Sequence, residues 1–235
     1  MENLLEVNNI HTYIGQYHIL QGVSFTARKG EVTVLLGRNG AGKTTTLRSI
    51  MGLNPPRTGT ITFKGENIQG METFQIANRG IGYVPENQGL FSGLTVEENL
   101  KVAMKKQDDR TQKKLETVLR LFPDLKKYWK KESGHLSGGQ KQMLSIARSY
   151  LNDNELLLID EPSKGLAPII VEKVMNFIDE MKEETTIVLV EQNFFMASSI
   201  GNRFSIIDDG KTVASGSMKD LIGDEFMKRK YLGIA

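Results

Sequence analysis

Two hydrophobic periodicities divide the chain. Leu4–Val7 alternates apolar and polar positions, and Ile19–Phe25 follows with Gly22 inside it; both read as short strands. Glu31–Leu36 is a strand-length, largely apolar run that ends in a glycine-rich loop, and Thr44–Met51 then changes to helical spacing. This predicts strand, loop and helix in succession. Thr60–Phe63 reads as another strand after Thr58-Gly59, and Ile81–Val84 as a short buried strand stopped by Pro85.

From Thr95 to Leu151 the pattern is helical. Thr95 and Glu98 have the spacing of a capping box, Lys113–Leu121 carries an amphipathic stripe, and Gly138-Gly139 opens a helix running to about Leu151. Strands and helices then alternate: strand Leu156–Ile159, helix Pro168–Glu183, strand Thr186–Val190, helix Phe194–Ile200, and a hairpin Phe204–Ala214 turned at Asp208-Asp209-Gly210. Such alternation predicts a parallel sheet flanked by helices. The expected fold is therefore α/β, one domain over 1–235. Residues 1–94 and 152–235 form its core, with antiparallel strands at the start, and 95–151 form an inserted helical subdomain.

Composition narrows the function classes. A length of 235 residues suits one sizeable core, and a net charge of +2 gives no electrostatic footprint for a nucleic-acid partner. Lys126-Lys127 and Lys130-Lys131, flanking Trp129, read as a solvated helix face, and Met227–Lys230 as a solvated tail. There is no cysteine, so neither disulfides nor thiolate metal sites are available, which fits a reducing cytosol. No apolar run approaches the roughly 20 residues that span a bilayer, and Met1-Glu2-Asn3 lacks the marks of a signal peptide. A membrane role would come through a partner. His11, His18 and His135 are scattered; His11 and His18 read as surface or packed residues rather than metal ligands.

Three motifs carry chemistry. Gly37-Arg38-Asn39-Gly40-Ala41-Gly42-Lys43-Thr44 is the pattern G-x-x-x-x-G-K-[ST] between strand and helix. Its glycines let backbone N–H groups converge on a phosphate, Lys43 can reach further phosphates, and the Thr44 hydroxyl can ligate Mg²⁺. Leu156–Ile159 ends in Asp160-Glu161, two acids at the carboxyl edge of a strand, suited to hold Mg²⁺ and to orient or deprotonate an attacking water. Leu136-Ser137-Gly138-Gly139-Gln140 lies at a helix start, where a hydroxyl and free amides make a second anion site.

In this order the three motifs resemble the ABC transporter ATPase family over the whole chain, with Leu136–Gln140 as its signature. The resemblance implies a P-loop NTPase (RecA-like) core that binds ATP and Mg²⁺. It also implies a head-to-tail dimer, with each nucleotide held between the P-loop of one subunit and the signature of the other. Nucleotide contacts are implied for Tyr13, which would stack on adenine, for Gly37, Arg38, Asn39, Gly40, Ala41, Gly42, Lys43, Thr44 and Thr45, and for Ser137, Gly138, Gly139 and Gln140. Glu161, Gln192 and Glu86 are the implied catalytic residues, and Thr44, Asp160 and Glu86 the implied metal residues. Ser163–Leu166 corresponds to the D-loop, and Gln88–Leu94 to the segment that receives a permease.

Two positions depart from the general family pattern: Glu86 stands where Gln is usual, and Gln192 where His is usual. With Val84-Pro85-Glu86, Leu94–Leu100, Asp160–Pro168 and Val190–Asn193 as they stand, the chain resembles the LivF-type ATPase subunits of branched-chain amino acid importers. Urea and short-chain amide importers share much of this, and Gly30–Thr45 leans their way; an exporter ATPase of similar size is the further alternative. The implied partners are transmembrane permease subunits, a second and non-identical ABC ATPase subunit with a homodimer as alternative, and, indirectly, a substrate-binding protein. The implied location is peripheral, on the cytoplasmic face of the membrane.

Overall fold

The computed structural model describes residues 2–104, 106 and 108–233. Strands β1 (Asn3–Ile14), β2 (Tyr17–Arg28), β4 (Thr58–Phe63) and β5 (Glu66–Asn67) form an antiparallel sheet in the order β2-β1-β4-β5. The main sheet is β10-β9-β3-β8-β7-β6, from β3 (Val32–Leu36), β6 (Ile81–Val84), β7 (Leu156–Asp160), β8 (Thr186–Val190), β9 (Arg203–Asp208) and β10 (Lys211–Ser217). All its pairings are parallel except the closing β9–β10 hairpin. Helices α1 (Lys43–Ile50), α2 (Thr73–Asn78), α3 (Val96–Ala103), α4 (Asp109–Leu121), α5 (Pro123–Lys127), α6 (Gly138–Leu151), α7 (Pro168–Met181), α8 (Phe194–Ile200) and α9 (Met218–Gly223) surround the two sheets.

The main sheet is apolar on both faces because both are covered, as parallel sheets require. On β7, Leu156 and Leu158 join α1 and the antiparallel sheet in one core, while Leu157 and Ile159 join the helices α3 to α8 in another. Ile187 and Leu189 against Val188 and Val190 divide β8 the same way. Each such side chain contributes about 1.5–3 kcal/mol on burial. The even apolar run of β7 is therefore what a strand with two cores needs, and it delivers Asp160 and Glu161 at the sheet's carboxyl edge.

The expected elements are present, several longer than expected: β1 and β2 join in one long hairpin, and α4 begins at Asp109, capped by Asp108. Thr95 and Glu98 make both capping-box bonds. The elements β5, α2, α5 and α9 carry too few residues to show a period. The expectation of a solvated tail at Met227–Lys230 is corrected: Met227, Tyr231 and Leu232 pack on the helix-side core, and Arg38 reaches the Lys230 carbonyl at 3.5 Å. Among the described residues no helix is long and apolar enough to cross a membrane.

Candidate functional site

The glycine-rich loop joins β3 to α1, and two of its glycines have no room for a side chain. Gly37 has φ 145°, and a Cβ there would stand 2.1 Å from the Ile207 carbonyl oxygen; at Gly42, φ 107°, it would stand 2.7 Å from Leu20. Lys43 is 4% exposed, and its ammonium donates to the carbonyls of Gly37 at 2.9 Å and Arg38 at 3.0 Å, inside the loop's own curl. Burial pushes its pKa down, while the carboxylates of Glu161, Asp160 and Glu191 oppose that shift. The loop thus holds a cation against its own carbonyl oxygens at the start of α1, a charge suited to a polyphosphate.

Asp160 is fully buried at the end of β7. Its Oδ1 accepts from the Thr44 hydroxyl at 3.0 Å and its Oδ2 from the Tyr83 hydroxyl at 3.3 Å. Burial raises its pKa, against the two hydrogen bonds that favour the carboxylate. The Tyr83 phenol is pushed up in turn, by its own burial and then by the Asp160 charge. Glu161, in left-handed backbone at φ 47°, turns its Oε1 to the Gln192 side-chain amide and its Oε2 to Lys164 at 3.3 Å. Lys164 also binds Glu86 at 2.6 Å. Lys43, Thr44, Asp160, Glu161, Gln192 and Glu86 are therefore joined by short links at one sheet edge. A cleft of about 310 Å³ beside them is lined by Gly37, Arg38, Asn39, Glu191, Gln192 and Leu232, among others.

The signature turn stands apart. Ser137 caps α6 through its hydroxyl, Gln140 returns its side-chain oxygen to the Ser137 N–H, and Gly139 lies against Ile170 of α7. Tyr13 is also engaged: His18 stacks on its ring at 4.2 Å, and the Arg57 guanidinium lies over it at 4.2 Å. His18 comes from β2 and Arg57 from the start of β4, the strands on either side of β1, so both ring faces carry a neighbour. His11 and His18, scattered in sequence, meet at 3.2 Å across the hairpin.

Sequence reasoning missed three residues here. Glu191 is 1% exposed; its Oε1 accepts from the Ser163 N–H at 3.0 Å and its Oε2 from the N–H groups of Gln192 and Asn193 at 2.9 Å each. It ties the loop after β7 to the loop after β8, and burial raises its pKa despite those bonds. Its signal was its position directly after the apolar run of β8. Tyr83 and Lys164 gave no such signal, because their partners are distant in sequence.

A model of the family described as ABC transporter matches residues 20–164. The chain belongs to this family. As an ABC transporter ATP-binding subunit it binds ATP and is an ATPase. Its relatives include BraG of Pseudomonas aeruginosa, named a high-affinity branched-chain amino acid transport ATP-binding protein, 38% identical over 98% of this chain and 100% of that one. LivF of Archaeoglobus fulgidus, a probable branched-chain amino acid transport ATP-binding protein, is 33% identical over 93% and 94%. LptB of Escherichia coli K12, from a lipopolysaccharide export system, is 31% identical over 99% and 98%. Among solved structures, an ATP-binding subunit of an ABC transporter matches with a TM-score of 0.83 and 31% identity over 93% of this chain and 91% of the other.

Proposed function

We propose that this ABC ATPase powers import of branched-chain amino acids or closely related small solutes through transmembrane permease subunits. The observation that carries the reading is full-length likeness to BraG and LivF, joined to the Glu86 and Gln192 departures that first pointed to such importers. Urea and short-chain amides are the neighbouring substrate class. Export is the second reading, favoured by the likeness to LptB.

The site residues take these roles. Backbone amides of residues 37–45, with the Lys43 ammonium, bind the phosphates. Mg²⁺ fits the donor set, a hydroxyl and a carboxylate offering hard oxygen atoms. The Thr44 hydroxyl and Asp160 carboxylate, already 3.0 Å apart, leave the other positions to phosphate oxygens and water, as this ion prefers. When bound, the ion neutralises charge on the transferring phosphoryl group. Glu161 accepts a proton from the attacking water, Gln192 donates to the γ-phosphate, and Glu86 stands near the metal. Tyr13 takes the adenine, exchanging one of its present neighbours for it.

Ser137, Gly138, Gly139 and Gln140 serve the nucleotide of a second ABC subunit, unlike this one, and that subunit's signature completes the site described here. Residues 95–151 act as a unit between the nucleotide and the permease. A groove of about 540 Å³ between that unit and the core, lined by Tyr83, Pro85, Gln88, Gly89 and Arg148 among others, suits a permease helix. The complex stands at the cytoplasmic face of the membrane and works with a substrate-binding protein. The test is reconstitution in liposomes with permease, second ATPase and binding protein. Leucine uptake that needs ATP and is lost in Lys43→Ala supports the reading; a complex that moves no branched-chain amino acid or amide contradicts it.

A further inference from the structure

Lys164 lies within Ser163–Leu166, the segment that corresponds to the D-loop, and the roles proposed above leave its side chain unassigned. Its ammonium bridges two acids, Glu86 at 2.6 Å and the Oε2 of Glu161 at 3.3 Å, from a side chain that is 58% exposed. The other oxygen of Glu161 accepts from Gln192. Both carboxylate oxygens of Glu161 are thus engaged, one by an amide and one by a cation, so the carboxylate is turned toward Gln192 and Lys164 and held in that orientation. The bridge depends on Glu86 being an acid: a glutamine there carries no charge to hold an ammonium, so Glu86 and Lys164 form a unit peculiar to chains that have both.

Resting on the roles proposed above, we infer that Lys164 is a positioning residue for hydrolysis. Clamped by Glu86, it holds Glu161 out of use in the resting chain and releases it when the site closes. The fraction of chains with Glu161 free limits the basal rate, and removing the clamp raises that fraction. Exposed ion pairs are weak, so the change is about two- to fivefold in kcat. The KM for MgATP is unchanged, because Lys164 bonds neither the P-loop nor Asp160 in this structure.

The experiment is steady-state ATPase of the purified chain as wild type, Lys164→Gln, Lys164→Arg, Glu86→Gln and the double variant Glu86→Gln/Lys164→Gln, with Glu161→Gln as reference. Lys164→Gln raises kcat at constant KM, Lys164→Arg stays near wild type, Glu86→Gln raises kcat less, and the double variant does not exceed Lys164→Gln alone. A Lys164→Gln rate equal to or below wild type overturns the clamp, as does a double variant in which the two effects multiply. If Glu161→Gln retains the wild-type rate, the role given to Glu161 fails and the clamp with it. If Glu161→Gln is inactive and Lys164→Gln shows no gain, the clamp alone fails.

Discussion

Glu191 keeps a carboxylate almost out of water because three backbone N–H groups need it. Replacing it with alanine leaves the buried Ser163 amide without a partner, at about 1–3 kcal/mol, and leaves the part-buried amides of Gln192 and Asn193 to water. Both loops beside Glu161 then lose their common anchor. We expect Glu191→Ala to lower kcat about tenfold or more, the order that follows from slight misplacement of reacting groups, with ADP affinity little changed. Steady-state kinetics beside ADP calorimetry checks this. Asp160 gives a pH prediction. Its folded pKa lies above the ordinary value of about 3.9, so ionisation costs the folded chain more than the unfolded one. That cost is absent below the ordinary value and complete above the folded one. Asp160→Asn keeps an acceptor for Thr44 or Tyr83 and removes the charge. In melts without divalent metal it should raise Tm at pH 7. The gain should fade as pH drops toward 4, and a lowered Tm at pH 7 would count against the assignment.

At the scale of elements, the segment around Gln88–Leu94 is bound to both helices behind it. Ser145 and Arg148 of α6 donate to the carbonyls of Gln88 at 2.6 Å and Gly89 at 2.7 Å, and Asn99 of α3 holds Phe91 and Leu94. Since α6 begins at the signature turn, one helix joins this segment to Ser137. Arg148→Ala should therefore reduce stimulation of ATPase by the assembled permease more than it reduces the basal rate, measured as the ratio of the two. Equal losses would indicate a folding defect only. These links also mark what the sequence could not reveal. Caps at Thr95 and Ser137 rest on neighbours within a few residues and were legible; the strand at Ile81–Val84 was legible from its own apolar run, though its pairing partner β7 is distant. Arg148 and Gly89 are 59 residues apart, and periodicity names no partner at that distance. The same holds for Lys164 with Glu86 and for Tyr83 with Asp160. In contrast, Lys43, Thr44, Asp160 and Glu161 were legible, because polyphosphate chemistry restricts which residues can follow β3 and β7.

At the scale of the whole molecule, the two-subunit arrangement proposed above gives one chain half of each of two sites, the P-loop cluster in one and the signature turn in the other. In the assembled complex, Gly138→Asp puts a carboxylate against the other subunit's phosphates. It should disable that site and spare nucleotide binding at Lys43, whereas Lys43→Ala does the reverse; paired nucleotide-binding and ATPase assays on the complex check the two. Glu161 as the group that activates water at the site built by Lys43, Thr44 and Asp160 is open to direct test by ATP turnover of wild type and Glu161→Gln, with MgATP binding followed in parallel. Binding should be retained and turnover lowered about 100-fold or more, the usual contribution of a general base. A Glu161→Gln chain that hydrolyses ATP at the wild-type rate would contradict it.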